Sequence, residues 1–243
     1  AAHATAGAPH RAHAWVLKML QWGVSPDVVS YTAVIAGFAR VQQPQRAREV
    51  LLEMQANGIK PNVRSYSAVV EAFVKVGDMC EAEVWLRRAQ EAGITPNVVT
   101  YSSLAKGHAM LGDISSARAT ISRMRTAGIL PNAATYHAVL SRAVRADAHQ
   151  QAVEILDEMD GNPVHPTTLA YNLVIACLVR ANRRSKAEQL LRSMIDAGVK
   201  PDSVTFSSMI VSTGNGTAPT RAAEWIDSMR QLGIQPDAIS YNK

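Results

Sequence analysis

Residues 28–62 read VVSYTAVIAGFARVQQPQRAREVLLEMQANGIKPN, and the fold is decided there. Tyr31, Val34, Ile35 and Phe38 fall at the i, i+3, i+4, i+7 spacing of an amphipathic helix, which predicts a helix from about Ser30 to Arg40. Ala47, Val50, Leu51 and Met54 repeat that spacing, so a second helix is expected from Pro44 to about Asn57. Gly58 suits the left-handed conformation that ends a helix, and Pro61 prevents continuation. Two short helices with one apolar stripe each make a hairpin that cannot bury its own face.

The rest of the chain supplies the missing partners. Pro26, Pro61, Pro96, Pro131, Pro166, Pro201 and Pro236 lie 35 residues apart. Tyr31, Tyr66, Tyr101, Tyr136, Tyr171 and Tyr241 keep the same step, with Phe206 in the remaining place. Ala12, Ala47, Ala82, Ala117, Ala152, Ala187 and Ala222 hold the phase, as do Gly23, Gly58, Gly93, Gly128, Gly198 and Gly233. Complete units then run over 28–62, 63–97, 98–132, 133–167, 168–202 and 203–237, flanked by partial units at 1–27 and 238–243. The chain is therefore expected to be a piece of a longer array. Repeats of this length stack, so an all-α solenoid with one long inner wall is expected, and function belongs on that wall.

Composition agrees. Of 243 residues 47% are hydrophobic, enough for a core, while aromatics at 5% fit close stacking through Ala, Leu, Val and Met. Trp15, Trp85 and Trp225 recur at one place in the second helix and read as packing between repeats. Cys80 and Cys177 are too few for a disulfide scaffold or a four-ligand zinc site, and no apolar run reaches the ~18 residues of a membrane span. The seven histidines show no metal-binding spacing, so neither metal nor cofactor is expected. A net charge of +5 and a pI near 9.4 suit a polyanionic partner.

The 35-residue period, the Val-Val-Ser-Tyr-Thr opening at 28–32 and the Gly-Ile-Lys-Pro-Asn close at 58–62 resemble the pentatricopeptide repeat family, in its form built of uniform 35-residue units. Tetratricopeptide arrays step by 34 and place Trp, Gly and Tyr differently. The resemblance implies a right-handed α–α superhelix of helix-turn-helix repeats. It also implies sequence-specific binding of single-stranded RNA, one nucleotide per unit, in chloroplasts or mitochondria, with the chloroplast preferred. An array of this kind works without chemistry of its own, in RNA processing, stability, editing or translation, alongside protein partners of that machinery and apart from membranes. Two alternatives stay open: an array that targets a nuclease or deaminase domain elsewhere in a longer chain, and a protein-binding scaffold.

In that family the base is read by the fifth residue of a unit with its last. Those pairs here are Thr32 with Asn62, Ser67 with Asn97, Ser102 with Asn132, His137 with Thr167, Asn172 with Asp202, and Ser207 with Asp237; Asp27 and Asn242 belong to the partial units. A carboxylate only accepts hydrogen bonds, so Asp202 and Asp237 suit the imino N–H of uracil or guanine; an amide both donates and accepts, so Asn62, Asn97 and Asn132 suit adenine or cytosine. In the family's pattern Ser or Thr at the fifth place goes with purines and Asn with pyrimidines, which spells A-A-A-N-U-G, N marking the fourth unit. Second-place residues Val29, Arg64, Val99, Leu169 and Val204, with Ile239 and the smaller Ala134, resemble the family's base-sandwiching wedges.

Arg40, Lys75, Arg145 and Arg180 recur near the end of the first helix and are read as facing phosphates. Tyr31 and its counterparts are read as core. Two irregularities are expected: an early break of the second helix at Gly161-Asn162-Pro163, and a lengthened turn at 213–217 rather than a phosphate loop or a glycosylation site.

Overall fold

A computed structural model describes residues 8–160, 164–211 and 219–236. Asp237, Ile239, Asn242, the 161–163 segment and the 213–217 stretch lie outside these. Among the described residues there are 13 helices and no strand, and none is long and apolar enough to cross a membrane.

The chain divides into two compact units, Ala1–Pro131 and Asn132–Lys243. The first holds α1 (Pro9–Gln21), α2 (Val28–Arg40), α3 (Pro44–Ala56), α4 (Val63–Val76), α5 (Met79–Glu91), α6 (Val98–Met110) and α7 (Ile114–Thr126). The second holds α8 (Ala133–Arg145), α9 (His149–Asp160), α10 (Thr168–Arg180), α11 (Arg184–Asp196), α12 (Ser203–Val211) and α13 (Pro219–Gln231). First helices start at 28, 63, 98, 133, 168 and 203, and second helices at 44, 79, 114, 149, 184 and 219, each in steps of 35. Within the first unit, first helix packs on next first helix, α2 on α4 and α4 on α6, and each second helix also meets the first helix that follows it. The second unit repeats the scheme through α8, α10 and α12. First helices thus form a continuous layer in each unit, and second helices cover it.

The recurring residues explain that layer. Tyr31, Tyr66, Tyr101, Tyr136, Tyr171 and Phe206 are buried, as the periodicity predicts, and so are the series alanines from Ala47 to Ala187, where two helices come close. Each fully buried Leu, Val or Ile beside them contributes about 1.5–3 kcal/mol. The tyrosine hydroxyls find partners: Asn57 donates to Tyr31 at 2.8 Å, and Gln55 donates to Tyr66 at 3.1 Å. Trp85 is 1% exposed and packs against Tyr66, and Trp225 lies against Phe206. Trp15 departs from the packing expectation. It is 48% exposed, touching Trp22 and Lys18.

First helices begin two residues earlier than the apolar stripe suggests, at Val28 rather than Ser30. The reason lies one residue upstream, in a cap. Second helices end as expected, Gly58 taking φ +75° and the Ile59 N–H bonding back to the Met54 carbonyl at 3.0 Å.

Candidate nucleic-acid interface

Among the described residues, the last residue of each repeat is the N-cap of the next first helix. Asp27 Oδ1 accepts the Ser30 N–H at 2.8 Å, Asn62 Oδ1 the Ser65 N–H at 3.0 Å, Asn97 Oδ1 the Thr100 N–H at 3.0 Å, and Asn132 Oδ1 the Thr135 N–H at 2.9 Å. Thr167 Oγ1 and Asp202 Oδ1 do the same for Ala170 and Thr205 at 3.3 and 2.9 Å. A helix leaves its first N–H groups unpartnered, so a short polar side chain at this place is worth about 1 kcal/mol. Sequence reasoning missed the cap, although Asn or Asp followed three residues later by Ser or Thr signals it.

Capping changes what each side chain can offer a ligand. An N–H pointing at a carboxamide requires the oxygen there, so Asn62 and Asn97 commit their acceptor to the helix and keep the Nδ2 amide as donor. The expectation of an amide that both donates and accepts is narrowed: only the donor remains. Asp202 commits Oδ1, and its second oxygen remains an acceptor. Burial acts to raise the Asp202 pKa, but the hydrogen bonds from the Thr205 N–H and the Asn172 amide outweigh it and hold the carboxyl below the usual range. Asp27 is lowered by its hydrogen bonds from Ser30. Both stay charged at neutral pH.

Beside the caps stand the other predicted residues. Asn62 and Asn132 are exposed, and Asn97 and Asp202 half-buried, so none is hidden between helices. The second-place Val29 is 69% exposed, Val99, Leu169 and Val204 are more than half exposed, and Arg64 and Ala134 are exposed too. Apolar side chains left in water at one place per repeat are what a stacking platform needs. Thr32, Ser67, Ser102, His137 and Ser207 are half-buried one turn into the helix. Asn172 differs, being 6% exposed, because its larger amide folds down to donate to Asp202 Oδ1 at 2.9 Å. His137 Nε2 lies 3.0 Å from Thr167 Oγ1, and burial lowers its pKa, which keeps the ring neutral at pH 7.

The cations are less uniform. Arg40, Lys75, Arg145 and Arg180 are exposed near the ends of their helices. Lys75 pairs with Glu71 at 2.8 Å, and Arg180 donates to the Val144 carbonyl at 2.7 Å and to Asp147 at 3.0 Å, tying it to the preceding hairpin. Among the described residues no group of His, Cys, Asp and Glu is arranged to hold a metal.

These features occur in known proteins. The PPR repeat family matches residues 26–75 and 166–212, and the pentatricopeptide repeat domain matches 84–145 and 127–181. No curated protein sequence matches the chain. The crystal structure of the pentatricopeptide repeat protein PPR10 from maize is 25% identical over 98% of this chain, with a TM-score of 0.75; the chain spans 34% of that protein. The PPR domain of Arabidopsis thaliana protein-only RNase P 1, solved with tRNA, is 18% identical with a TM-score of 0.54, covering 71% of this chain and 91% of that domain. At that identity the likeness is one of fold. Helix pairs in steps of 35, a capped first helix in each pair, and two profiles of one family laid over the same repeats lead to a single assignment: the chain belongs to the pentatricopeptide repeat family.

Proposed function

We propose that the chain binds single-stranded RNA in a sequence-specific way, one nucleotide per repeat, without chemistry of its own, in an organelle. The observation that carries the reading is the recurring trio of an exposed wedge, a cap with one committed atom, and a fifth-place polar group one turn on. The Nδ2 donors of Asn62 and Asn97 complement the ring acceptor of adenine or cytosine, and the second oxygen of Asp202 complements the imino N–H of uracil or guanine. With the family's fifth-place preferences, the complete repeats read A-A-A-N-U-G. Wedges stack on the bases, at roughly 1–3 kcal/mol each, and Arg40, Lys75, Arg145 and the remaining donors of Arg180 face the phosphates. Membership of the family and the fold shared with the Arabidopsis PPR domain solved with tRNA support an RNA partner.

The test is a titration of an AAANUG oligomer against one with UUU for AAA. Tighter binding of the first, weakening steeply with salt, is expected. Equal affinities overturn the base-by-base reading, and a flat salt dependence overturns the phosphate contacts.

A further inference from the structure

We propose that the third residue of the following repeat, Ser65, Thr100 or Thr205, is a positioning residue of the reading site: its buried hydroxyl fixes where the hydrogens point on the pair that meets the base. The inference rests on the function proposed above. Ser65, Thr100 and Thr205 are at most 3% exposed, so none meets a base itself. Each lies within hydrogen-bond distance of both members of one reading pair. Ser65 Oγ is 2.8 Å from Thr32 Oγ1 and 3.2 Å from Asn62 Oδ1. Thr100 Oγ1 is 2.5 Å from Ser67 Oγ and 3.0 Å from Asn97 Oδ1. Thr205 Oγ1 is 2.6 Å from Asn172 Oδ1 and 3.0 Å from Asp202 Oδ1.

A hydroxyl has one proton to give and two lone pairs. With the Ser65 proton given to Asn62 Oδ1 and the Asn62 N–H accepted, the remaining Ser65 lone pair takes the proton of Thr32. Thr32 is left with lone pairs alone. At Thr100 a proton given to Asn97 Oδ1 leaves the hydroxyl's lone pairs for the proton of Ser67, which makes Ser67 a donor inward and an acceptor outward. These two pairs therefore offer one amide donor and one hydroxyl acceptor, which match N1 and the N6 amine of adenine. In the fifth repeat the order reverses. Asn172 turns its oxygen to the Thr205 hydroxyl and one Nδ2 proton to Asp202 Oδ1, so the pair offers a second amide proton and a carboxylate oxygen, the complement of a uracil carbonyl and N3–H. The fourth repeat has no such hydroxyl, since Ala170 occupies the place, and His137 meets Thr167 directly. It is the native control and should discriminate least.

The experiment compares Thr100→Val and Thr100→Ser on RNAs varied at the second nucleotide, which Ser67 and Asn97 read. Valine keeps the shape and removes the hydroxyl. Thr100→Val is expected to lose about fivefold or more of its preference for adenine there, the worth of about one hydrogen bond, with the preference at the first nucleotide intact and Thr100→Ser behaving as wild type. Full preference in Thr100→Val overturns the positioning role and leaves the proposed function standing. Absence of any preference in the wild type overturns the proposed function instead. A second readout needs no RNA: in the free protein, 15N relaxation of the Asn97 side-chain amide should show it loosened in Thr100→Val and held in Thr100→Ser, and an amide equally held in all three refutes the role.

Discussion

Replacing Asn97 by Asp separates the two duties of one atom pair. The cap survives, because Asp and Asn serve equally at that position and the Thr100 N–H, at 3.0 Å, needs only an oxygen. A negative charge at a helix N-terminus adds about 0.3–1 kcal/mol, so the melting temperature should hold or rise slightly. On the ligand side the Nδ2 donor becomes an acceptor. Against adenine about 1 kcal/mol of hydrogen bonding is lost; against guanine, whose imino N–H now faces a carboxylate, about 1.5 kcal/mol is gained, both at the low end for an open groove. The ratio of adenine to guanine affinity at the second nucleotide should swing by about 60-fold, toward guanine. Fluorescence anisotropy with AAANUG and AGANUG measures it, and thermal melting checks the cap. A ratio unchanged within about threefold in a variant that melts normally refutes the claim that the uncommitted atom reads the base. A large loss of melting temperature refutes the claim that the cap needs only an oxygen.

Three further outcomes follow from the backbone and core. Gln42 sits at φ +57°, where Gly77 and Gly112 stand in the next two repeats, so Gln42→Gly should stabilise by about 0.5–1 kcal/mol, and an unchanged or lowered melting temperature counts against it. A Cβ on Gly107 would lie 2.7 Å from Met79 Sδ and from Val74 Cγ1; the thioether can swing away but the valine methyl cannot, so Gly107→Ala should cost about 1–3 kcal/mol in chemical denaturation, and a neutral result would show that α4 and α6 can part. Burial holds the His137 pKa below its ordinary 6.5, so the unfolded chain binds the proton more readily and His137 subtracts stability as pH falls through 6.5. His137→Gln should therefore melt less steeply between pH 7.5 and 5.5 than wild type, and identical slopes would contradict the burial.

The repeat was legible because proline, glycine and tyrosine answer to strict backbone and packing demands, and those demands recur unchanged every 35 residues. Helix starts were less so. The apolar stripe begins at Tyr31, but the helix begins where Asp27 can cap it, and a cap is a polar signal outside the stripe. The turn within each hairpin was illegible for another reason. Gln42, Gly77, Gly112, Asp147 and Asn182 all take positive φ at one place, yet four residue types fill it, because Asn and Asp tolerate that region and Gln42 is simply strained into it.

The cap also bears on why so few residue types occur at the last place of a repeat. Asp27, Asn62, Asn97, Asn132, Thr167 and Asp202 are all drawn from the small set that can accept an N–H three residues on. A longer or apolar side chain there would leave the first turn of the next helix uncapped, at about 1 kcal/mol per repeat, whatever it gained from a base. On the proposed function, the alphabet available for reading is thus limited first by helix initiation and only then by nucleic acid. Within that set, Asn and Asp have a second polar atom on the same planar group and can cap and read together, whereas Thr167 spends its one oxygen on Ala170 and on His137, and the fourth repeat is left with an imidazole where the others present a second polar group.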